Sequence, residues 1–401
     1  MTKPTRSDVN LPRLQDLPAA ESAISWDFMP SGFQRLSDPR PAARAAVEQP
    51  LDFPPLSEVV VPGDSVTIAV DPNVPDLQDV VAGIVDALPL GDLGDVIVLL
   101  NEEALESTLE ALREVLPEAV VVKQHDAATQ DAMAYLAANQ AGDPLYLNRD
   151  LTFADLVIPV VLTRPHGSLD PDWVYGGIAP ALADATSRRR YRYDLLMRRQ
   201  QEQVEPRQVA WLLGYQLMVA VTPTVEGQIY KIEAGTADGI YDKLKPDTES
   251  NRQPATDDAV DLVLAYVDGD QQQQTWENIG RALHVARSLV QPGGTIALIT
   301  AVDDPPRGSL LRLRELQSGN EDEIRKRLLK DNDRYALVAT LLLDAMRDGR
   351  VVLYSPLEAE RVEQLGLGAL DTPQALDRLV SEHTRPGLLH CAQFCSPSQA
   401  D

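Results

Sequence analysis

The stretch VTIAVDPNVPDLQDVVAGIVDALPLGDLGDVIVLL (66–100) decides the fold class. A five-residue apolar run opens it, and another closes it. Between them PDLQDVVAGIVDAL (75–88) places apolar residues at helical three-to-four spacing. Two short apolar strands bracketing one amphipathic helix make a βαβ unit, whose strands run parallel and are covered on both faces. Working outward, EEALESTLEALREVL (102–116) reads as a helix, AVVVK (119–123) as a strand, ATQDAMAYLAAN (128–139) as a helix and LVIPVV (156–161) as a strand. Upstream, residues 1–60 are rich in Pro, Asp and small residues. They read as an irregular arm with one short helix over 41–48.

The middle of the chain changes character. SRRRYRYDLLMRRQQEQ (187–203) reads as a basic helix, YQLMVAVTP and GQIYKIEAG (215–235) as a strand pair, and SNRQPATDD (250–258) as a polar connector. Alternation then resumes with VDLVLAYV (260–267), the helix TWENIGRALHVARSLV (275–290) and the strand TIALIT (295–300). Helices are expected through 308–348, VVLYS (351–355) is a strand, and two short helices follow. The expected organisation is an arm (1–60), a first α/β domain (61–205), connecting strands and linker (206–258), a second α/β domain (259–385) and a tail (386–401). The fold class is α/β: two α/β domains with mainly parallel sheets and a cleft between them.

Composition narrows the function classes. The 401 residues suggest roughly two or three domains. With 61 Asp and Glu against 36 Lys and Arg, the net charge is −25. A field of that sign opposes phosphate backbones and anionic membrane surfaces, so neither nucleic acid nor membrane is an expected partner. No apolar run approaches the length of a bilayer span, and the opening MTKPTRSDVNLPRLQDLPAAE lacks the apolar core of a secretory signal. Only two Cys occur, both near the C-terminus, which fits a reducing, cytoplasmic setting.

The stretches AARAAVEQPLDFPPLSEVVVPGDSVTIAVD (42–71), HDA (125–127), YLNRDLTFADLVIPV (146–160) and LTRPHGSLDPDWVYGGIAPAL (162–182) resemble the lactate racemase family, and the resemblance runs from about 41 to 382. The second half adds VDLVLAYVDGDQQQQTWENIGRAL (260–283), VQPGGTIALIT (290–300) and VVLYSPLEAERVEQLGL (351–367), in the same order. What the resemblance implies is a nickel-pincer nucleotide acting on 2-hydroxy acids. Its ring accepts a hydride from the substrate's α-carbon, and two histidines serve the two enantiomers. A lysine anchors the nucleotide, and a further histidine ligates the metal.

Several of those positions differ here. In the nucleotide-contacting turn after the first strand Asp71 is retained, but the family's Arg is Val74. The first catalytic His has no counterpart in LLNEEALES (99–107), where Glu102 or Glu103 could stand as a base or simply begin a helix. His166 matches the second catalytic His, at a strand end where open α/β sheets place ligands. Gly176 and Gly177 match a glycine pair that lets backbone approach a phosphate, but the anchoring Lys is Ala179. The nickel-ligating His would fall within Arg192–Leu196, and no His lies between His166 and His284. Gln274 stands where the family has a substrate-facing Gln, and Arg281 where it has a catalytic Lys. Arg281 keeps the charge as a fork that could clamp a carboxylate.

Three further features have bland readings. His125-Asp126 is expected to be a hydrogen-bonded strand end. Arg188, Arg189, Arg190, Arg192, Arg198 and Arg199 are expected to pair with the acidic excess. His390, Cys391 and Cys395 offer soft ligands without a fourth group nearby, so a frayed tail with two inert thiols is expected and no metal site. A methyltransferase, suggested by ARSLVQPGGTIALIT (286–300), is disfavoured because no Gly-rich loop follows a first strand. The expected function is therefore a divergent lactate-racemase-like scaffold without the nickel-pincer nucleotide. It would bind a small anion or nucleotide in the cleft through His166, Gln274, Arg281, Asp71, Gly176 and Gly177, or regulate a related enzyme. The alternative is an active racemase or epimerase of a small 2-hydroxy acid, which would need that cofactor.

Overall fold

The computed structural model describes residues 11–12, 16–18, 23–29, 34–138, 142–165, 169, 173–196, 204–224, 227–249, 253–254, 260–316, 320–331 and 333–397. Its strands are β1 Trp26–Phe28, β2 Val66–Val70, β3 Val96–Leu100, β4 Val120–Gln124, β5 Met133–Ala138, β6 Pro144–Asn148 and β7 Leu156–Leu162 in the first part of the chain. They continue with β8 Met218–Pro223, β9 Ile229–Gly235, β10 Val260–Tyr266, β11 Val290–Ile299, β12 Arg350–Tyr354, β13 Gly368–Leu370 and β14 Pro386–Leu389. The helices longer than one turn are α1 Pro39–Glu48, α2 Leu77–Val85, α3 Glu106–Val115, α4 Ala185–Leu196, α5 Val204–Leu213 and α6 Ala237–Glu249. The second half adds α7 Trp276–Arg287, α8 Glu321–Asp331, α9 Ala336–Asp348, α10 Ala359–Gln364 and α11 Pro373–Ser381.

Two six-stranded sheets result. The first runs β4-β3-β2-β7-β8-β9, parallel except for the β8–β9 pair. The second runs β1-β14-β10-β11-β12-β13 and is parallel throughout. The run VTIAV is buried at every position, as is VIVLL, because each strand is covered on both faces. Helix α1 lies so close on α2 that a Cβ at Gly83 would come 2.1 Å from the Arg40 carbonyl oxygen. No described helix is long and apolar enough to cross a membrane.

Five expectations are corrected. Of the helix expected over 128–139, the described residues 128–138 form none. After a short 3-10 turn, Met133–Ala138 is a strand paired antiparallel with β6. Its burial does not follow a two-residue alternation, and the pairing with the neighbouring strand overrides the helical preference of its alanines. The helix expected over 102–116 starts at Glu106, leaving Glu102 and Glu103 in the preceding turn. The arm is not merely irregular: β1 adds to the second sheet, Leu11 and Leu17 are buried, and the Tyr266 hydroxyl donates to the Pro12 carbonyl at 2.9 Å.

The C-terminal segment is no frayed tail. Strand β14 lies inside the second sheet, between β1 and β10, and Cys391 and Cys395 are buried at 1% and 2% exposure. The thiol-bearing turn is anchored by the Cys391 backbone N–H, which donates to Asp268 Oδ2 at 2.9 Å. Strands β8 and β9, expected as a connector, complete the first sheet.

Candidate functional site in the cleft between the two sheets

In each sheet the strand order reverses beside the first strand of its unit. Strand β2 is flanked by β3 and β7, and β10 by β11 and β14. The crevice outside such strand ends is where open α/β sheets receive ligands. In the second sheet the turn at 391–395 fills that place: Asp268, just past β10, is held by Cys391, and Phe394 and Cys391 join the core of the first unit. The space left open is therefore against the first sheet.

A cavity of about 150 Å³ occupies it. Asp71 follows β2, Asn101 and Glu103 follow β3, and Arg164 follows β7. Helix α4 contributes Arg188 and Tyr191, α7 contributes Glu277, Gly280 and Arg281, and Arg334 stands just before α9. The charged wall thus holds four guanidinium groups and three carboxylates. The remaining wall is apolar and includes Val161, Leu162, Leu169, Trp173, Leu337, Val338 and Leu341.

The charged groups fall into two connected sets. In the first unit, Asp71 accepts from the Asn73 backbone N–H and side chain at 2.9 and 3.0 Å and from Arg164 Nη2 at 3.4 Å. Glu102 pairs with Arg188, and the Glu103 backbone N–H donates to Asn101 Oδ1 at 2.8 Å. Across the cleft, Arg281 Nη2 reaches Glu103 Oε2 at 3.2 Å, and its Nη1 donates to Asn278 Oδ1 at 2.9 Å. Arg334 donates to the carbonyl oxygens of Glu102 and Glu103 and, through Nε, to Glu277 Oε1 at 2.7 Å. Asn73 ties the two sets together, taking Asn278 Nδ2 on its side chain at 2.9 Å and Gln273 Nε2 on its carbonyl at 3.2 Å.

Burial, together with these contacts, shifts three of the groups. Burial pushes the Glu277 carboxyl above the ordinary carboxylate range; Arg334 opposes the shift and nearby Glu103 adds to it. Burial acts to lower Arg334, yet the attraction of Glu277 leaves that guanidinium raised overall. Burial pushes the Tyr335 hydroxyl up to about 12.

The residues singled out in the sequence are placed as follows. Asp71, Gly177 and Arg281 line the cavity together. Gly176 ends the one-turn helix Trp173–Gly176. At Gly177 an added Cβ would meet Val161 Cγ1 at 2.4 Å, so the missing side chain makes room for a core valine. His166 lies outside the described residues, as do Arg198 and Arg199. Gln274 does not line the cavity. It is 1% exposed, donates to the Val267 carbonyl at 3.1 Å and accepts from Thr300 Oγ1 and the Ala301 backbone N–H at 2.9 and 2.8 Å. It therefore splices together the loops after β10 and β11, and its neighbour Gln273 is the glutamine that reaches across the cleft. Arg188 and Arg190 pair with Glu102 and Asp143, as expected of the basic helix. Glu277, Arg334, Asn73 and Asn278 went unremarked in the sequence. An acid and a base at the edges of two separate helices carry no local signature.

The donor set does not suit the organometallic group that the resemblance implies. Ala179 has no amine for a tether, and no Lys or His lines the cavity among the described residues. No cluster of three or more His, Cys, Asp or Glu able to hold a metal occurs among them.

The strand order, the two mainly parallel sheets and the charged cleft define a two-unit α/β protein with its ligand space at strand C-termini. This is the fold of lactate racemase. The chain matches the lactate racemase apoprotein from Thermoanaerobacterium thermosaccharolyticum with a TM-score of 0.73 at 13% identity, covering 95% of this chain and 96% of that one. A protein from Thermotoga maritima matches with a TM-score of 0.62 at 14% identity, over 85% of this chain and 94% of that one. No protein-family model matches the chain, and no curated protein matches it in sequence.

Proposed function

We propose that the chain binds a small anion, free or as the phosphate of a nucleotide, in the cleft between its two sheets, and that it works without the nickel-pincer nucleotide. One observation carries this reading. Arg164, Arg188, Arg281 and Arg334 converge on one cavity at the carboxyl ends of β2, β3 and β7, in a chain whose net charge is −25. Each is engaged by a carboxylate, but four guanidinium groups against the three lining carboxylates leave the wall net positive, which favours an anionic occupant. Ala179 in place of the tether, and the lack of imidazole and amine among the described lining residues, support the second half.

A second reading, an active racemase or epimerase of a small 2-hydroxy acid, is favoured by the end-to-end match to the lactate racemase fold. Metal analysis and intact-mass measurement on protein purified from its native host separate the two. The expected result is no stoichiometric nickel and the unmodified chain mass. One equivalent of nickel or a covalent nucleotide adduct overturns the nickel-free reading. Calorimetry with phosphate, AMP and monocarboxylates tests the anion site, and failure of every probe to bind overturns it.

A further inference from the structure

We propose that Glu277 is the proton-carrying group of this cleft, so that an anion enters together with one proton held on that carboxyl. The inference rests on the anion-binding reading above and adds a coupling to it. Glu277 lies in the first turn of α7, lines the cavity and is 8% exposed. Its Oε1 takes the Arg334 Nε–H at 2.7 Å, while Oε2 has no hydrogen-bond partner and no contact with solvent. An ionised carboxylate with one oxygen unsatisfied in such a place is costly. A proton on Oε2 removes the charge and supplies a donor, which then lacks only an acceptor.

The groups facing Glu277 decide the sign. Arg334 and Tyr335 stand before α9, Glu103 comes from the turn after β3, and Arg281 is one turn further along α7. Across the cleft lie Asp71, Arg164 and Arg188. With Glu277 ionised, the cavity wall carries four positive and three negative charges. With Glu277 neutral it carries four and two, Asp71 and Glu103 being the remaining carboxylates, and an anion meets a more attractive field. By reciprocity, the anion tightens the hold on the proton. The apolar remainder of the wall, with Trp173, Leu337 and Leu341, fits an anion with a compact apolar body, for which benzoate is a suitable probe.

The experiment is isothermal titration of benzoate into the full chain and into its E277Q variant. It is run from about pH 5.5 to about 8.5, where benzoate itself does not titrate, in buffers of different ionisation heat. Above the carboxyl's own value wild type is expected to take up protons, approaching one per benzoate, and its affinity to fall toward tenfold per pH unit. E277Q is expected to bind with no proton uptake and a flat profile. Wild-type binding without proton uptake overturns the proposal whatever the variant does, and so does equal uptake in wild type and E277Q. If benzoate, phosphate and AMP all fail to bind wild type at any pH, the anion reading falls and this inference with it; if phosphate or AMP binds while benzoate does not, this inference alone falls.

Discussion

Arg281 and Glu103 meet at 3.2 Å across the cleft, one from a helix of the second unit and the other from the turn after the second strand of the first sheet. Their side chains are only 11% and 24% exposed. The pair is therefore shielded more than a surface bridge, yet it lines an open cavity. Replacing Arg281 with Met leaves Glu103 facing Asn73 and the Arg334 side with one cation fewer. Chemical denaturation of R281M is expected to show a loss of about 1–3 kcal/mol, between the exposed and buried limits for ion pairs. Adding E103Q to R281M should cost less than the sum of the two single changes, because the second removes the carboxylate that the first left uncompensated.

Gly177 tests how tightly the cleft wall is built. A methyl group there would sit 2.4 Å from Val161 Cγ1, on a strand of the first sheet. G177A should lower stability by about 1–3 kcal/mol through overpacking. G177A combined with V161A should recover part of that loss, measured by urea titration. If Gly177 instead served only to let a phosphate approach the backbone, G177A would leave stability unchanged and weaken phosphate binding alone.

The parallel sheets were legible because buried strands need continuous apolar runs, and VTIAV, VIVLL and VDLVLAYV supply them. Residues 133–138 were not. Ala-rich sequence favours a helix locally, and the strand exists through its pairing with residues 144–148. Of the site, Asp71 and Glu103 could be found because each follows a recognisable strand, and Arg281, in mid-helix, because it falls at a position that the resemblance marks. Arg334 could not. Its cleft role is to hold the Glu102 and Glu103 carbonyls, more than 200 residues earlier, and no short spacing encodes that. The end of the chain was misjudged for a related reason. PGLL is too short to announce a strand, and it lies in the sheet only because β1 and β10 flank it.

That buried end gives the thiols a defined reactivity. Cys391 and Cys395 are enclosed by the wedge between the two units, and their backbone is tied to Asp268 and within the turn. Both should resist an aromatic disulfide reagent in the native state and react rapidly in denaturant. Their native labelling rate should track opening of the C-terminal turn. D268N, which weakens the acceptor for the Cys391 N–H, should speed labelling several-fold before global unfolding changes.

His125 links the first sheet to pH. It is 2% exposed, and its Nδ1 faces Asn148 Nδ2 at 3.2 Å while Nε2 faces the Ala183 carbonyl at 3.0 Å. Asn148 Oδ1 already accepts the Asp150 N–H, so its amide nitrogen is the donor to Nδ1. The imidazole is therefore neutral, with its one proton on Nε2 donated to Ala183. Burial holds its pKa below the ordinary histidine value; the Ala183 contact works against the shift and nearby Arg188 adds to it. A depressed value means that the folded chain binds fewer protons than the unfolded chain. The stability is present above the unfolded value of about 6.5 and is lost as pH falls through the folded one, at up to about 1.4 kcal/mol per pH unit. H125Q should lose about 1–3 kcal/mol at neutral pH, where its hydrogen bonds are broken or misaligned. The same variant should show a shallower decline on acidification. Urea titrations of wild type and H125Q at matched pH values check both, and parallel curves would show that His125 does not titrate with unfolding.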